Sequence, residues 1–293
     1  MIAFTTGPIV NSWSTDIGNT KNPEKQASEP NMLKLAANLS FLFPSVPFTE
    51  RFALAAQAGF SGVEYLFPYD YAPNTIKQLL QNASLRQVLF NVSPGNWNAG
   101  ERGLAALPGR ETQFADAIET ALRYAEITDC TRVHIMAGLA KADDPQAFDT
   151  FVSNLAHAAE RLGQNGITAL IEPINPIDMP GYYLTELNQA LEVIKTVAAP
   201  NLKLQFDCYH RTMMGQDVIA GLEQASKVLG HIQIAGMPGR HEPGSGTLNY
   251  DPIFEKLVEM QYAGWIGCEY HPAGSTTVGL AWRETQKPGI RFG

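Results

Sequence analysis

The chain has 293 residues, of which 45% are hydrophobic and 17% charged, the balance of a globular protein with room for a large core. A formal net charge of −8 opposes sequence-independent binding to nucleic acid, and no apolar run reaches the roughly 18 residues that a membrane span requires. The N-terminus lacks the basic start and apolar stretch of a secretory signal, and Cys130, Cys208 and Cys268 have no CxxC spacing, so a reducing, cytoplasmic setting without a disulfide framework is expected.

Residues 1–31 are polar, rich in Asn, Ser, Thr and Pro, and aperiodic, which suggests an extension outside the folded domain. A single domain is expected over 32–293. Its first strand is predicted at 35–43, followed by a helix over 49–59 with Phe52, Ala55 and Ala56 on one stripe and Gly59 as its stop. A strand at 62–68, a weaker helix at 75–82 and a strand at 86–92 come next. The Gly-rich stretch 93–109, carrying Trp97, Glu101 and Arg102, reads as a long loop of the kind that covers sites. A long amphipathic helix follows at 110–127, with Phe114, Ala117, Ile118, Ala121, Leu122 and Ala125 in line. Strands at 132–138, 167–174, 202–208, 231–236 and 265–270 then alternate with helices at 146–163, 185–198, 217–229 and 251–263, and a weak helix at 278–285 closes the chain.

The strands are apolar throughout, as parallel strands covered on both faces are. Eight strand–helix units predict an α/β fold of the (β/α)8 TIM barrel type rather than a doubly wound sheet. No GxGxxG follows the first strand and no GxxxxGK[ST] occurs, so a nucleotide fold and an organic cofactor have no local support.

Four of the apolar runs end on one polar residue each: Glu172 in ALIEPIN, Asp207 in LQFDCYH, Gln233 in HIQIAG and Glu269 in GWIGCEYHP. They lie 35, 26 and 36 residues apart, about one strand–helix unit each time. A buried carboxylate is expensive unless paired or bound to a metal, and barrel sites sit at the C-terminal ends of the strands. Four oxygen-bearing side chains from the fifth to eighth strands suit Mg²⁺ or Mn²⁺. Such an ion can stabilise an enediolate while glutamates on either side of it move a proton between adjacent carbons. For any one of the four, capping a helix or pairing with arginine is the alternative. His210 and Arg240 are candidates for binding substrate oxygens, against a structural hydrogen bond for His210 and a solvated loop charge for Arg240. His134, Glu64 and His271 are weaker candidates for the same mouth.

The segments ANLSFLF, GVEYLFPYDY, NWNAGERGLAALPGRE, IEPIN, QFDCYH, HIQIAG, RHEPGSGTLNY and GWIGCEYHP resemble, in order and spacing, the hydroxypyruvate isomerase family, a branch of the xylose-isomerase-like barrels. The resemblance runs from about Met32 to the last helix. It implies a divalent metal held by Glu172, Asp207, Gln233 and Glu269, with Glu172 and Glu269 as proton donor and acceptor. It implies a small hydroxy-oxo acid as substrate: hydroxypyruvate, or a 2-oxo-tetronate as in the closely similar 2-oxo-tetronate isomerases. A ketose 3-epimerase is the more distant alternative, and superfamily members of that kind and of the endonuclease IV kind generally use histidine where Gln233 stands or elsewhere in the site. His271 and Thr247 depart from the lysine and glutamate often found at these positions, which bears on the distal substrate contacts and not on the metal. Homo-oligomerisation is left open.

Overall fold

A computed structural model describes residues 32–285, 287 and 290–293, together with residues 1 and 3. The reading of 1–31 as an extension therefore falls almost wholly outside the described residues.

Eight strands are laid down in chain order: β1 (Met32–Asn38), β2 (Gly62–Tyr65), β3 (Arg86–Asn91), β4 (Arg132–His134), β5 (Thr168–Ile171), β6 (Leu202–Asp207), β7 (Leu229–Ile234) and β8 (Trp265–Cys268). Each pairs in parallel with the next, and β8 pairs back onto β1, so the sheet closes on itself. A two-residue strand β9 (Arg291–Phe292) adds to β1 at its start. The expected (β/α)8 barrel is what the chain forms.

The outer layer comprises α1 (Phe48–Gln57), α2 (Pro73–Asn82), α3 (Glu111–Thr128), α4 (Pro145–Gly163), α5 (Leu187–Val197), α7 (Val218–Ala225) and α8 (Asp251–Glu259). The predicted stripe of α3 is buried as a unit. Pro145 occupies the first turn of α4, where its missing N–H costs nothing, and the Asp144 side chain caps that turn by accepting from Gln146 N at 2.9 Å. A short α9 (Thr276–Gly279) runs into a 3₁₀ turn over Leu280–Arg283, where a single weak helix was expected.

Two differences from expectation matter for the site. The strands end earlier than their apolar runs do. Leu39, Leu42 and Phe43 beyond β1, and Ile135, Met136 and Ala137 beyond β4, stay buried because the loops at the mouth fold over them; hydrophobicity alone cannot show where pairing stops. A six-residue helix, α6 (Cys208–Met213), starts directly at the end of β6, and Asp207 is its cap, accepting from Tyr209 N at 2.7 Å.

On β8, alternate residues Trp265, Gly267 and Glu269 face the barrel axis in turn. The Trp265 ring closes the floor with Ala36, Val88 and Leu170. Gly267 leaves the middle layer open, and a Cβ added there would collide with the carboxyl group of Glu64 from β2. Glu269 reaches the mouth. Gly267→Ala should therefore cost about 1–3 kcal/mol of stability through overpacking, measured as a lowered urea midpoint at unchanged slope.

Candidate functional site

Asp207 ends β6, Gln233 is the last residue but one of β7, and Glu172 and Glu269 each follow their strand by one residue. All four are buried at the C-terminal end of the barrel. Donor atoms of Glu172, Asp207 and His210 lie within 4.8 Å of one another, a grouping that could hold a metal ion. Sequence reasoning placed His210 near this set but assigned it to the substrate. In the structure its Nε2 stands 3.7 Å from Asp207 Oδ2 and 4.0 Å from Glu172 Oε1, and its Nδ1 lies 2.7 Å from Asn175 Nδ2, which sets the ring's orientation.

Asp207 divides its oxygens between two tasks. Oδ1 caps α6, the structural alternative foreseen for a strand-end carboxylate, while Oδ2 faces His210 and Arg240. Glu269 joins the group through Arg240, whose Nη2 donates to Glu269 Oε1 at 2.6 Å and lies 3.4 Å from Asp207 Oδ2. Arg240 is thus no solvated loop charge. It sits at φ 53° in the left-handed region and is stacked between the rings of Phe41 (5.1 Å) and Tyr209 (5.0 Å), with its Nε buried and unpartnered. His271 supports this arrangement from behind, donating its backbone N–H to Arg240 O at 2.8 Å and packing its ring on Phe41.

Beneath the four runs a polar layer that sequence reasoning mostly missed. Gln205 Nε2 donates to Glu172 Oε2 at 2.9 Å and to Gln233 Oε1 at 2.8 Å. Gln233 Nε2 donates to Glu269 Oε2 at 2.6 Å and to Glu64 Oε1 at 2.8 Å. Asn38 Nδ2 donates to the same two carboxylates, and His231 Nε2 lies 2.6 Å from Glu64 Oε2. The missed signal was alternation: Gln205 precedes Asp207, and His231 precedes Gln233, by two residues, the spacing that puts both on one face of a strand.

The polar group forms one side of a cavity of about 170 Å³, a space for a small molecule. Phe67, Trp97, Met136 and Ile174 make its apolar side, and His134 also reaches it. The 93–109 loop contributes Trp97 alone of the three residues singled out in it. Arg102 stacks on the outer ring face of Trp97 at 3.9 Å, and Glu101 pairs with Arg110 at 2.7 Å. Buried Leu104, Ala105 and Ala106 pin the loop down, so it is a fixed wall and not a loose cover. The cysteines are buried, and burial pushes the Cys130 thiol up to about 12, as inert core residues should behave.

Burial, with Asp207 and Glu269 nearby, drives the Glu172 carboxyl well above its ordinary range. Burial raises Glu269 to about 8 against the opposing pull of Arg240. Burial works against the charge of Arg240 as well, but Glu269, Asp207 and Glu172 outweigh it and hold the guanidinium protonated. Burial lowers His134 to about 3 and His210 to about 4, so both rings are neutral at pH 7.

The family model described as xylose isomerase-like TIM barrel matches residues 52–290. The chain is 49% identical to the 2-oxo-tetronate isomerase of Cupriavidus necator over 86% of its own length and 97% of that protein's. It belongs to the hydroxypyruvate isomerase family of xylose isomerase-like barrels. Within that family it is 43% identical to the hydroxypyruvate isomerase of Escherichia coli, covering 86% of this chain and 99% of that one. A crystal structure described as AP endonuclease, family 2 from Brucella melitensis superposes with a TM-score of 0.84 at 47% identity, over 86% of this chain and 98% of the other. The family makes the chain an isomerase. Among the described residues, no helix is long and apolar enough to cross a membrane.

The raised carboxyl groups give the metal-free protein a pH signature. Glu172 and Glu269 are protonated in the folded chain at pH values where they are ionised in the unfolded one, so their contribution is full at low pH and is lost as pH rises through the folded values. The lowered histidines act in the opposite sense, but only below their unfolded value of 6.5. With metal chelated, Tm should therefore fall between pH 6.5 and 8.5, and Glu269→Gln should flatten that fall.

Proposed function

We propose that this isomerase acts, with a divalent metal, on small 2-oxo-3-hydroxy acids, converting hydroxypyruvate to tartronate semialdehyde. The observation that carries the reading is the pair Glu172 and Glu269 at one cavity, with Arg240 beside them. Fit to a metal rests on the site's own chemistry. Glu172 Oε1 is buried without a hydrogen-bond donor, a costly position that a hard cation relieves. Glu172, Asp207, Gln233 and Glu269 would hold the ion, an all-oxygen set suited to Mg²⁺ or Mn²⁺, with neutral His210 close enough to contribute. When bound, the ion supplies electrostatic stabilisation for the negative charge that develops on the substrate oxygens.

The protein's residues do the rest. One glutamate of the pair removes the proton from C3 of hydroxypyruvate, breaking that C–H bond and leaving an enediolate. The other delivers a proton to C2, while the proton of the C3 hydroxyl passes to the C2 oxygen. The carbonyl moves by one carbon, and no electrons enter or leave. Carboxyl groups displaced upward by burial suit this exchange, and Glu269, raised to about 8, has both protonation states accessible near neutral pH. Arg240 offers its planar fork to the substrate carboxylate, His210 binds an adjacent oxygen, and Phe67, Trp97, Met136 and Ile174 exclude water from the enediolate.

One observation favours a second substrate. The 2-oxo-tetronate isomerase of C. necator is more similar to this chain, at 49% identity, than the E. coli hydroxypyruvate isomerase, at 43%. The two reactions share the same proton transfer, with the extra hydroxymethyl group of the four-carbon acid facing the apolar wall.

Turnover should be measured on hydroxypyruvate, 2-oxo-tetronates and free ketoses, with and without EDTA. Activity on one or both acids that EDTA abolishes is expected; turnover of neutral ketoses alone defeats the reading. Glu269→Gln should lower kcat by about 10²–10⁴-fold, the usual worth of a general acid or base, with loss of proton exchange in deuterated water. Full activity in that variant, with metal retained, would rule out the two-glutamate mechanism. Arg240→Gln should chiefly raise KM for the acids.

A further inference from the structure

The middle layer of the barrel holds a carboxylate that touches neither the cavity nor solvent. Glu64 is 0% exposed, as is His231, and neither lines the cavity. Asn38 Nδ2 (3.0 Å) and Gln233 Nε2 (2.8 Å) donate to Oε1 of Glu64, and His231 Nε2 lies 2.6 Å from Oε2. Space for it exists only because β8 carries Gly267 at that level.

We propose that Glu64, held by His231, is a positioning residue that fixes which way round the Gln233 amide sits and, through Gln233 and Asn38, holds Glu269 in place. The inference rests on the metal-site reading above and adds to it how the site is kept in register. The two ends of a glutamine amide are nearly the same size, so only hydrogen-bond partners decide its orientation. Glu64 Oε1 and Glu269 Oε2 both accept from the NH₂ end of Gln233. The carbonyl oxygen is thereby turned toward Gln205 Nε2, which also binds Glu172 Oε2. The ligand oxygen of Gln233 thus comes to face the side of the site where Glu172 stands. Asn38 repeats the bridge, spanning Glu64 Oε1 and Glu269 Oε2. With Oε2 occupied by two amides, Glu269 keeps Oε1 for the cavity side, where Arg240 meets it.

Replacing Glu64 by glutamine keeps the shape but puts an NH₂ group in place of one acceptor oxygen, which weakens the hold on the Gln233 and Asn38 amides. Mn²⁺ binding followed by calorimetry and electron paramagnetic resonance tests this on wild type, Glu64→Gln, His231→Leu and His231→Gln, with circular dichroism to confirm folding. The expected result is a loss of Mn²⁺ affinity of about tenfold or more in Glu64→Gln and His231→Leu, the range seen when a ligand's supporting partner is removed. His231→Gln, which can still donate to Glu64 Oε2, should recover affinity relative to His231→Leu. The resonance line shape should broaden in the weakened variants, and their kcat should fall more than KM rises. Wild-type affinity and line shape in folded Glu64→Gln overturn the orienting role while leaving the isomerase reading intact; absence of Mn²⁺ binding by the wild type overturns both. If Glu64→Gln does not fold, equal affinity in the two His231 variants overturns the proposal, and recovery in His231→Gln supports it.

Discussion

Glu172, Asp207 and Glu269 are buried side by side at one end of the barrel, and their mutual repulsion in a water-poor setting is the constraint to which the rest of the site answers. Burial alone disfavours each charge, and each neighbour adds to the cost. Three devices offset it. Arg240 places a guanidinium against Glu269 and Asp207. Backbone and amide donors take up the oxygens that face inward, as Tyr209 N does for Asp207 and Asn38 and Gln233 do for Glu269. The remaining strain is met by protonation, which is why Glu172 and Glu269 bind protons more tightly than free carboxylates do. On the proposed reading, glutamates with raised proton affinity are what a proton transfer across one carbon–carbon bond uses.

That arrangement depends in turn on how the barrel is filled. Side chains pointing inward from parallel strands stack in layers, and here the layers change character from floor to mouth. Trp265 makes the floor apolar, and the next layer is polar throughout, with Glu64, Gln205 and His231 all buried. This middle layer offsets much of the cost of burying its members by hydrogen bonds among them, although Gln205 Oε1 and His231 Nδ1 are left without a partner. It carries the geometry of one strand to the next: Gln205 on β6 ties Glu172 after β5 to Gln233 on β7, and Gln233 ties Glu64 on β2 to Glu269 after β8.

The barrel and the four strand-end residues were legible in the sequence because both rest on local pattern: apolar runs at regular intervals, each broken by one polar residue. What the pattern could not show was set by contacts across the barrel. Asn38, Gln205 and His231 lie inside apolar runs, and only neighbouring strands reveal that each faces a carboxylate. The helix α6 is too short for periodicity to mark, although Asp207 before an amide-rich turn is a recognisable cap. The loop over 93–109 read as a cover for the site because it is long, Gly-rich and without strong periodicity. Its Ala105 and Ala106 are buried, and Asn154 of α4 donates to Ala105 O at 2.9 Å, contacts that only the folded chain reveals. Arg240 was a candidate for the substrate from its place after β7, but nothing in its own segment foretells the rings of Phe41 and Tyr209 on either side of it.

The two halves of the barrel supply different things to the cavity. Of the residues that line it, Glu172, Arg240 and Glu269 follow β5, β7 and β8, whereas Phe41, Phe67, Trp97 and Met136 follow β1 to β4 in turn. On the proposed reading, proton transfer and charge reside in the second half, and the first supplies most of the apolar wall, which Ile174 after β5 completes. A change in the apolar wall alters the room available beyond the reacting carbons without disturbing the carboxylates or the network that orients them. The reacting atoms of a three-carbon and a four-carbon acid ask the same thing of the carboxylates, and only the extra hydroxymethyl group asks anything of the wall.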